Sequence, residues 1–476
     1  MCVWPQFWPR AVPVGELAEA GGRPHSPPDT ANVPVGGRAT FTLSPAQAAD
    51  WTVNDLVGGT ATVGRITAIG VYTAPFVIPS PTTVTMVTIG ASAATNTATV
   101  TIVSRFADGG AVSVGTCSNP CTPSSVAVSD LDGDGRADYF VTANTDSGDV
   151  SVLRRNQTTF FAPDLYPINN RNARPEAVVV ADFNNDTIPD LATTDAVSTP
   201  STRAIRVRLG VSGGTFDTLS EMVTSLPQSN SGPSSMAVGQ FNSGVDTLRD
   251  LVVANLNGDE VSILLSNGNG TFLVARTFSA ANGIASPFGV AVADFNRDSL
   301  DDVAVANSRF GEVLVFLQLA AGQFGPPQTS NAGGGPTALA AVDLNLDGYP
   351  DLVVTDGTGN RLVTFINTQS GSQVFGSTAS QVFSTGDAPT ALAVSDVNGD
   401  GFPDVVVVNN VPTASAGSVT VFLGYGDGTA VASETYPVGS APLSVAVGDF
   451  NGDGWPDLAV ANSGDDTVTI LRNRGS

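Results

Sequence analysis

The stretch Asp449-Phe-Asn-Gly-Asp-Gly-Trp-Pro-Asp457 places side-chain oxygens at its first, third, fifth and ninth positions, on Asp449, Asn451, Asp453 and Asp457. Gly454 stands at the sixth position, where a sharp bend is needed. Alternate residues of a tight turn point inward, and the seventh can add a backbone carbonyl. This is how a short loop wraps a hard cation that takes six to eight oxygens. The flanks, Leu443-Ser-Val-Ala-Val-Gly448 and Leu458-Ala-Val-Ala461, read as strands. The helix-flanked loop that ends on a Glu at its twelfth position is thereby set aside.

The unit recurs, beginning at Asp130, Asp182, Gln240, Asp294, Asp343, Asp396 and Asp449, at intervals of 52, 58, 54, 49, 53 and 53 residues. A fixed period of this size signals a repeat architecture. A proline stands seven residues before each start: Pro123, Pro175, Pro233, Pro287, Pro336, Pro389 and Pro442. Proline suits the first residue of a strand.

Each unit over 105–476 reads as four strands, two around the loop, a third such as Thr467-Val-Thr-Ile-Leu471, and a looser fourth near a Gly-x-Phe signal such as Gly270-Thr-Phe272 or Gly322-Gln-Phe324. Four strands per unit, repeated radially, make a propeller blade. The seventh unit ends after its third strand, while an orphan strand, Gly110-Ala-Val-Ser-Val-Gly115, precedes the first. The orphan is expected to close the ring as the outer strand of the last blade, removing both edges. Residues 31–104 carry short alternating runs, among them Ala39–Leu43, Thr82–Thr88 and Ala98–Val103, and read as a small β-sandwich. Residues 1–30 read as irregular, with neither the basic nor the apolar region of a secretory signal. The expected fold is all-β: a seven-bladed propeller over 105–476 preceded by the sandwich.

Composition agrees. Charged residues are 13%, Gly numbers 51 and Pro 31, a profile of short strands and turns. The net charge is −24, and twenty-two of the 44 acidic residues lie in the seven loops. Six divalent ions would halve that charge. No basic stripe exists for nucleic acid, and no apolar run is long enough for a membrane span. Cys117 and Cys121 form a C-x3-C pair that reads as a small disulfide loop in an exported protein, with Cys2 left over. Zinc would need more ligands, and His25 is the one histidine.

The candidate cation ligands are Asp130, Asp132, Asp134 and Asp138; Asp182, Asn184, Asp186 and Asp190; Asp294, Asn296, Asp298 and Asp302; Asp343, Asn345, Asp347 and Asp351; Asp396, Asn398, Asp400 and Asp404; and Asp449, Asn451, Asp453 and Asp457. Thr187 and Ser299 replace glycine at the sixth position of the second and fourth loops. The third loop is broken: Gln240 replaces the first Asp, and two extra residues separate Asn242 from Asp250, so no tight ion is expected there. Asx residues also build ordinary turns. Three or four carboxylates packed into each of six turns, however, repel one another unless a cation is present. All-oxygen, numerous and flexible ligands favour Ca2+ over Mg2+, at about six structural sites.

The repeats resemble FG-GAP/VCBS repeats, the calcium-binding blades of integrin α-subunit propellers and of many bacterial surface proteins. The likeness covers 105–476, and residues 31–104 resemble bacterial Ig-like domains through Trp51-Thr-Val53 and Gly64–Pro75. The resemblance implies calcium in the loops between first and second strands on one face, and partners on the other. It implies a non-enzymatic extracellular or cell-surface binding or adhesion protein, monomeric, that meets a protein or glycan on the face opposite the loops. A lectin, or a polysaccharide lyase or hydrolase on a propeller, is the alternative, and the shortage of general acid–base residues outside the loops counts against catalysis. Two further sets stand out. Asn144, Asp195, Asn255, Asn307, Asp356, Asn409 and Asn462 end the second strands, either ringing a binding face or capping the next turn. Arg171, Arg174 and Arg203 fall on the face opposite the metals, where they would receive an acidic glycan or be scattered surface charges.

Overall fold

The computed structural model describes residues 104–475, save 116–119, 138, 156–159, 169–172, 197–202, 227–231, 371–372 and 412–415, and the backbone of nine strands between 30 and 103. Those nine strands form a five-stranded and a four-stranded sheet. Thr30–Pro34 runs parallel to Thr97–Val103 in the first, and Arg38–Thr40 pairs with Val71–Thr73 in the second. The remainder of the segment read as irregular, residues 1–29, lies outside the described residues.

Seven four-stranded antiparallel sheets follow, built from strands in chain order except that the second and fourth skip a short hairpin before their outer strand and the last takes its outer strand from the start of the ring. The second strand of each blade is an apolar run buried along its length, as in Asp250–Asn255, Asp302–Asn307 and Asp457–Asn462. Burial on both faces suits such uninterrupted β-branched sequence. The fourth strands form the outer edge and are partly exposed, as in Gln381–Ser384. The cores lie between blades. One cluster joins Phe241, Val252 and Ile263 of the third blade to Val303, Leu314 and Phe316 of the fourth, and another joins Val406 and Val421 of the sixth to Val460 and Leu471 of the seventh.

The marker prolines sit at β-bulges. In all blades but the second, the register between first and second strands slips just after the proline, for example between Pro233 and Ser235 and between Pro442 and Ser444. The residue left outside the ladder is the one after the proline, as Ser234 and Leu443 are, while the proline itself opens the strand, where a ladder donor is not needed.

The ring closes as expected, with Phe106–Ser113 paired antiparallel to Thr467–Asn473 as the outer strand of the seventh blade. The strand begins at Phe106 rather than Gly110, because a bulge between Asp108 and Ala111 carries it across Gly110, whose φ is +91°. The fourth strands also depart from the sequence reading in two blades. Gly214-Thr-Phe216 and Gly322-Gln-Phe324 belong to separate two-stranded hairpins, and the fourth strands start later, at Met222 and Gln328.

Candidate functional site: the acidic loops and the hub

Each acidic loop joins a first strand to a second, so all lie on one face, and the prolines that open the first strands mark the other. Within a loop the first Asp is an anchor for the backbone. Its two oxygens accept the N–H of the fifth and sixth residues: in the seventh loop Asp453 N to Asp449 Oδ1 is 3.1 Å and Gly454 N to Oδ2 is 2.7 Å. The same pair recurs on Asp130, Asp182, Asp294, Asp343 and Asp396. The fifth-position Asp takes the N–H of the seventh residue, as Trp455 N does to Asp453 Oδ1 at 2.9 Å. Where the third residue is Asn, its Nδ2 donates to the fifth carboxylate in four loops, at 2.8–2.9 Å. In the first loop all three are acids, and oxygens of Asp130, Asp132 and Asp134 lie within 4.8 Å of one another.

The ninth-position Asp opens the second strand and is fully buried in six blades. It performs a folding task that its spacing alone does not disclose. Asp302 accepts the N–H of Phe295 in its own loop at 2.9 Å and that of Gln318 beyond the third strand at 2.7 Å. Asp190, Asp250, Asp351 and Asp404 repeat this bridge. Burial pushes these acids up, to about 6 in Asp190 and Asp351, about 7 in Asp302 and Asp457, and about 8 in Asp404. The bonded N–H groups oppose the rise, and the fifth- and first-position carboxylates add to it. Asp457 Oδ2 is buried with no hydrogen-bond partner. Crowded, buried hard oxygens of this kind suit a divalent cation, which would hold them ionised. Asp138 lies outside the described residues.

The third loop replaces charge with amides. Gln240 Nε2 donates to the carbonyl of Asp246 at 2.7 Å, and Asn242 Nδ2 to its carboxylate at 2.7 Å. Asp246 thus takes the fifth-position role despite the insertion, while Asp250 keeps its bridge.

Sequence reading passed over two features. The residue at the second position is a plug: Phe183, Phe241 and Phe295 are buried and meet Phe272, Phe324 and Phe375 of the next blade with ring centroids 5.4–6.0 Å apart. The recurring Asp-Phe-Asn was its signal. The carbonyl of the same residue is also held from the next blade, by Ser266 Oγ, Gln318 Nε2, Asn367 Nδ2 and Asn473 Nδ2 at 2.6–3.2 Å. Gly210 and Gly424 occupy the corresponding place in the second and sixth blades and offer no side chain.

The residues ending the second strands form no binding ring. All seven are buried and tie strands together. Asn144, Asn255, Asn409 and Asn462 donate to Ser or Thr hydroxyls of the third strand at 2.6–3.0 Å. Where Asp replaces Asn, its partner is an arginine: Arg206, at the hydroxyl's place, on Asp195 at 2.7 Å, and Arg361, directly opposite in the third strand, on Asp356 at 2.5 Å. Of the face arginines, Arg171 lies outside the described residues, Arg174 pairs with Asp146 at 3.6 Å, and Arg203 is half-buried. Cys121 is disulfide-bonded, and Cys117 lies outside the described residues.

A family model described as FG-GAP-like repeat matches residues 130–193, 246–305, 294–354, 343–407 and 408–460. Integrin alpha-8 of Homo sapiens is 29% identical over 203 residues, and that of Gallus gallus 30% over 203 residues; each match spans 36% of this chain and 19% of the relative. Among solved structures, virginiamycin B lyase from Staphylococcus aureus superposes with a TM-score of 0.51 at 13% identity, over 76% of this chain and 98% of that one. A chain of the Chaetomium thermophilum Polycomb Repressive Complex 2 does so at 0.54 and 10% identity, over 78% and 98%. These two likenesses concern the fold alone.

Proposed function

Since the chain belongs to the FG-GAP-like repeat family, its five matched segments spanning more than half of its length, we propose that it is a non-enzymatic, calcium-stabilised binding or adhesion module of the cell surface or extracellular space. Six complete acidic loops take structural Ca2+, and the face opposite them meets a protein or glycan. Residues 31–104 serve as a spacer. The observation that carries the metal half is the convergence, in the second, fourth, fifth, sixth and seventh loops, of a first- and a fifth-position carboxylate on a buried ninth one, where the third loop has only Asp246 beside Asp250. A cation that binds only the folded state adds stability by mass action. The binding half rests on the chain's partial match to integrin alpha-8. Among the described residues, no helix is long and apolar enough to cross a membrane.

Thermal melts with calcium and with excess chelator test the first half, and the melting temperature is expected to fall markedly on chelation and to recover with calcium. An unchanged curve overturns it. Capture of calcium-loaded chain on arrays of glycans and extracellular proteins tests the second half, with a reducing-end release assay on the glycans that bind. Sugar release would place the chain among the enzymes instead.

A further inference from the structure

On the face opposite the acidic loops, the innermost strands open around the hub and line a solvent-open cavity of about 460 Å³. The residue after each marker proline faces it. Four of the seven are hydroxyl residues, and each donates to a carbonyl of the next blade: Ser124 to Glu176 at 2.9 Å, Ser234 to Phe288 at 3.3 Å, Thr337 to Pro389 at 2.8 Å and Thr390 to Pro442 at 3.2 Å. Their protons are spent on holding the ring, so what they retain is acceptor lone pairs. The other three positions are Glu176, Phe288 and Leu443.

Glu176 is half-buried, and among the described residues its carboxylate accepts no hydrogen bond and joins no ion pair. Burial raises its pKa, with Arg174 opposing. Arg174 also borders the cavity, but its charge is shared with Asp146 at 3.6 Å. Phe288 is 40% exposed although it stands at the hub. The cavity therefore combines a carboxylate with no hydrogen bond or ion pair among the described residues, four hydroxyl acceptors and apolar side chains from the fourth and seventh blades, within the volume range of small-ligand sites.

We propose that this hub cavity binds a primary ammonium group on a short apolar stem, the ammonium on Glu176 and the stem against Phe288. An acceptor-rich cavity selects a group that has three donors and no acceptor, and the exposed ring of Phe288 offers apolar surface for the stem to cover. The proposal rests on the reading that the binding face lies opposite the loops.

The test uses the calcium-loaded full chain with n-butylammonium as the probe, and 1-butanol and butyrate as neutral and anionic counterparts at constant ionic strength. Binding is followed by saturation-transfer NMR and titration calorimetry. Butylammonium is expected to bind in the range of about millimolar, with 1-butanol at least about tenfold weaker. Glu176→Gln should lose about tenfold or more and keep its melting temperature, because an unpaired half-buried charge is removed. Phe288→Ala should lose severalfold through lost apolar contact with the stem, and Asp465→Asn, in the groove beside the closing strand, nothing. Equal binding by Glu176→Gln, equal binding of 1-butanol, or no binding of butylammonium overturns the proposal. Should a macromolecule be captured by this face while butylammonium is not bound, the hub proposal alone falls. Capture through the loop face would overturn the wider reading and leave the hub result standing.

Discussion

At the sixth position of the second and fourth loops, Thr187 and Ser299 are held at φ of +71° and +69°, where the other complete loops place glycine. The left-handed region costs a side-chain-bearing residue on the order of 1 kcal/mol. Thr187→Gly and Ser299→Gly should each raise the unfolding free energy by about 0.5–1 kcal/mol, less the entropy that glycine gives the unfolded chain, as read from denaturant midpoints in calcium. A fall in midpoint would show that these side chains make contacts worth more than the strain. The sixth position was legible because glycine marks it. The fourth position is equally left-handed but is filled by Asn185, Arg297 and Leu346 as well as by glycines, so no residue type betrays it. Asp356 supplies a pH test away from the loops. Burial pushes its carboxyl up, but Arg361 and the N–H groups of Gly334, Gly359 and Gly335 outweigh this and hold it at about 2, against an ordinary 3.8. With the folded value below the unfolded one, its stabilisation is complete above pH of about 4 and is lost as pH falls through about 2. Asp356→Asn should therefore cost on the order of 1–2 kcal/mol at neutral pH, with the difference from wild type closing by pH of about 2. A pH-independent difference would mean that the charge of Asp356 is not what stabilises the turn.

Within an element, loop and blade cannot be separated as the sequence suggested. Regular oxygens at alternate positions identify the loop, yet the ninth Asp is as much a strap between second and third strands as a candidate ligand. Asp250 shows this, since it keeps its strap in the loop that amides have neutralised. Spacing cannot distinguish the two tasks, because both ask for a carboxylate at the same place. Calcium calorimetry separates them. Asp453→Ala should lose one of six sites and on the order of 1 kcal/mol or more of stability in calcium. Asp246→Ala should leave the stoichiometry unchanged. Equal loss of calcium from both would mean that the third loop holds an ion after all. The links from each loop to the following blade were hidden for another reason. Ser266, Gln318, Asn367 and Asn473 share a position but not a residue type, and their target is a backbone carbonyl. Asn367→Ala leaves the carbonyls of Phe295 and Pro350 without this donor. It should cost on the order of 1–2 kcal/mol and weaken calcium at the fourth loop, although the substitution is in the fifth blade. Unchanged stability and calcium affinity would show that water replaces the amide without penalty.

For the molecule as a whole, seven blades and their order followed from the period, the proline marker and the displaced strand, because closure of a ring is a demand of topology rather than of any one residue. What the sequence obscured was how firmly the last blade is sealed. Arg105 is buried and donates to the carbonyl of Val397 at 3.2 Å, alongside Asn473, so it fastens the seam to the sixth loop. Phe106 is buried in the core between the sixth and seventh blades, its ring 5.4 Å from that of Tyr436, whose hydroxyl accepts its N–H at 3.2 Å. The run of alternating residues that announced the strand starts after Gly110, so these anchors, which precede the bulge, fell outside it. Deleting residues 104–115 would bare the third strand of the seventh blade as an unpaired edge and empty part of an interblade core, and such edges pair with other chains. Aggregation and loss of a single cooperative unfolding transition are expected, followed by calorimetry and light scattering. Deleting residues 1–103 leaves the seal in place and should yield a folded propeller with an unchanged main transition. If the short deletion unfolds as cooperatively as wild type, closure by this strand does not hold the ring, and the interblade cores alone suffice.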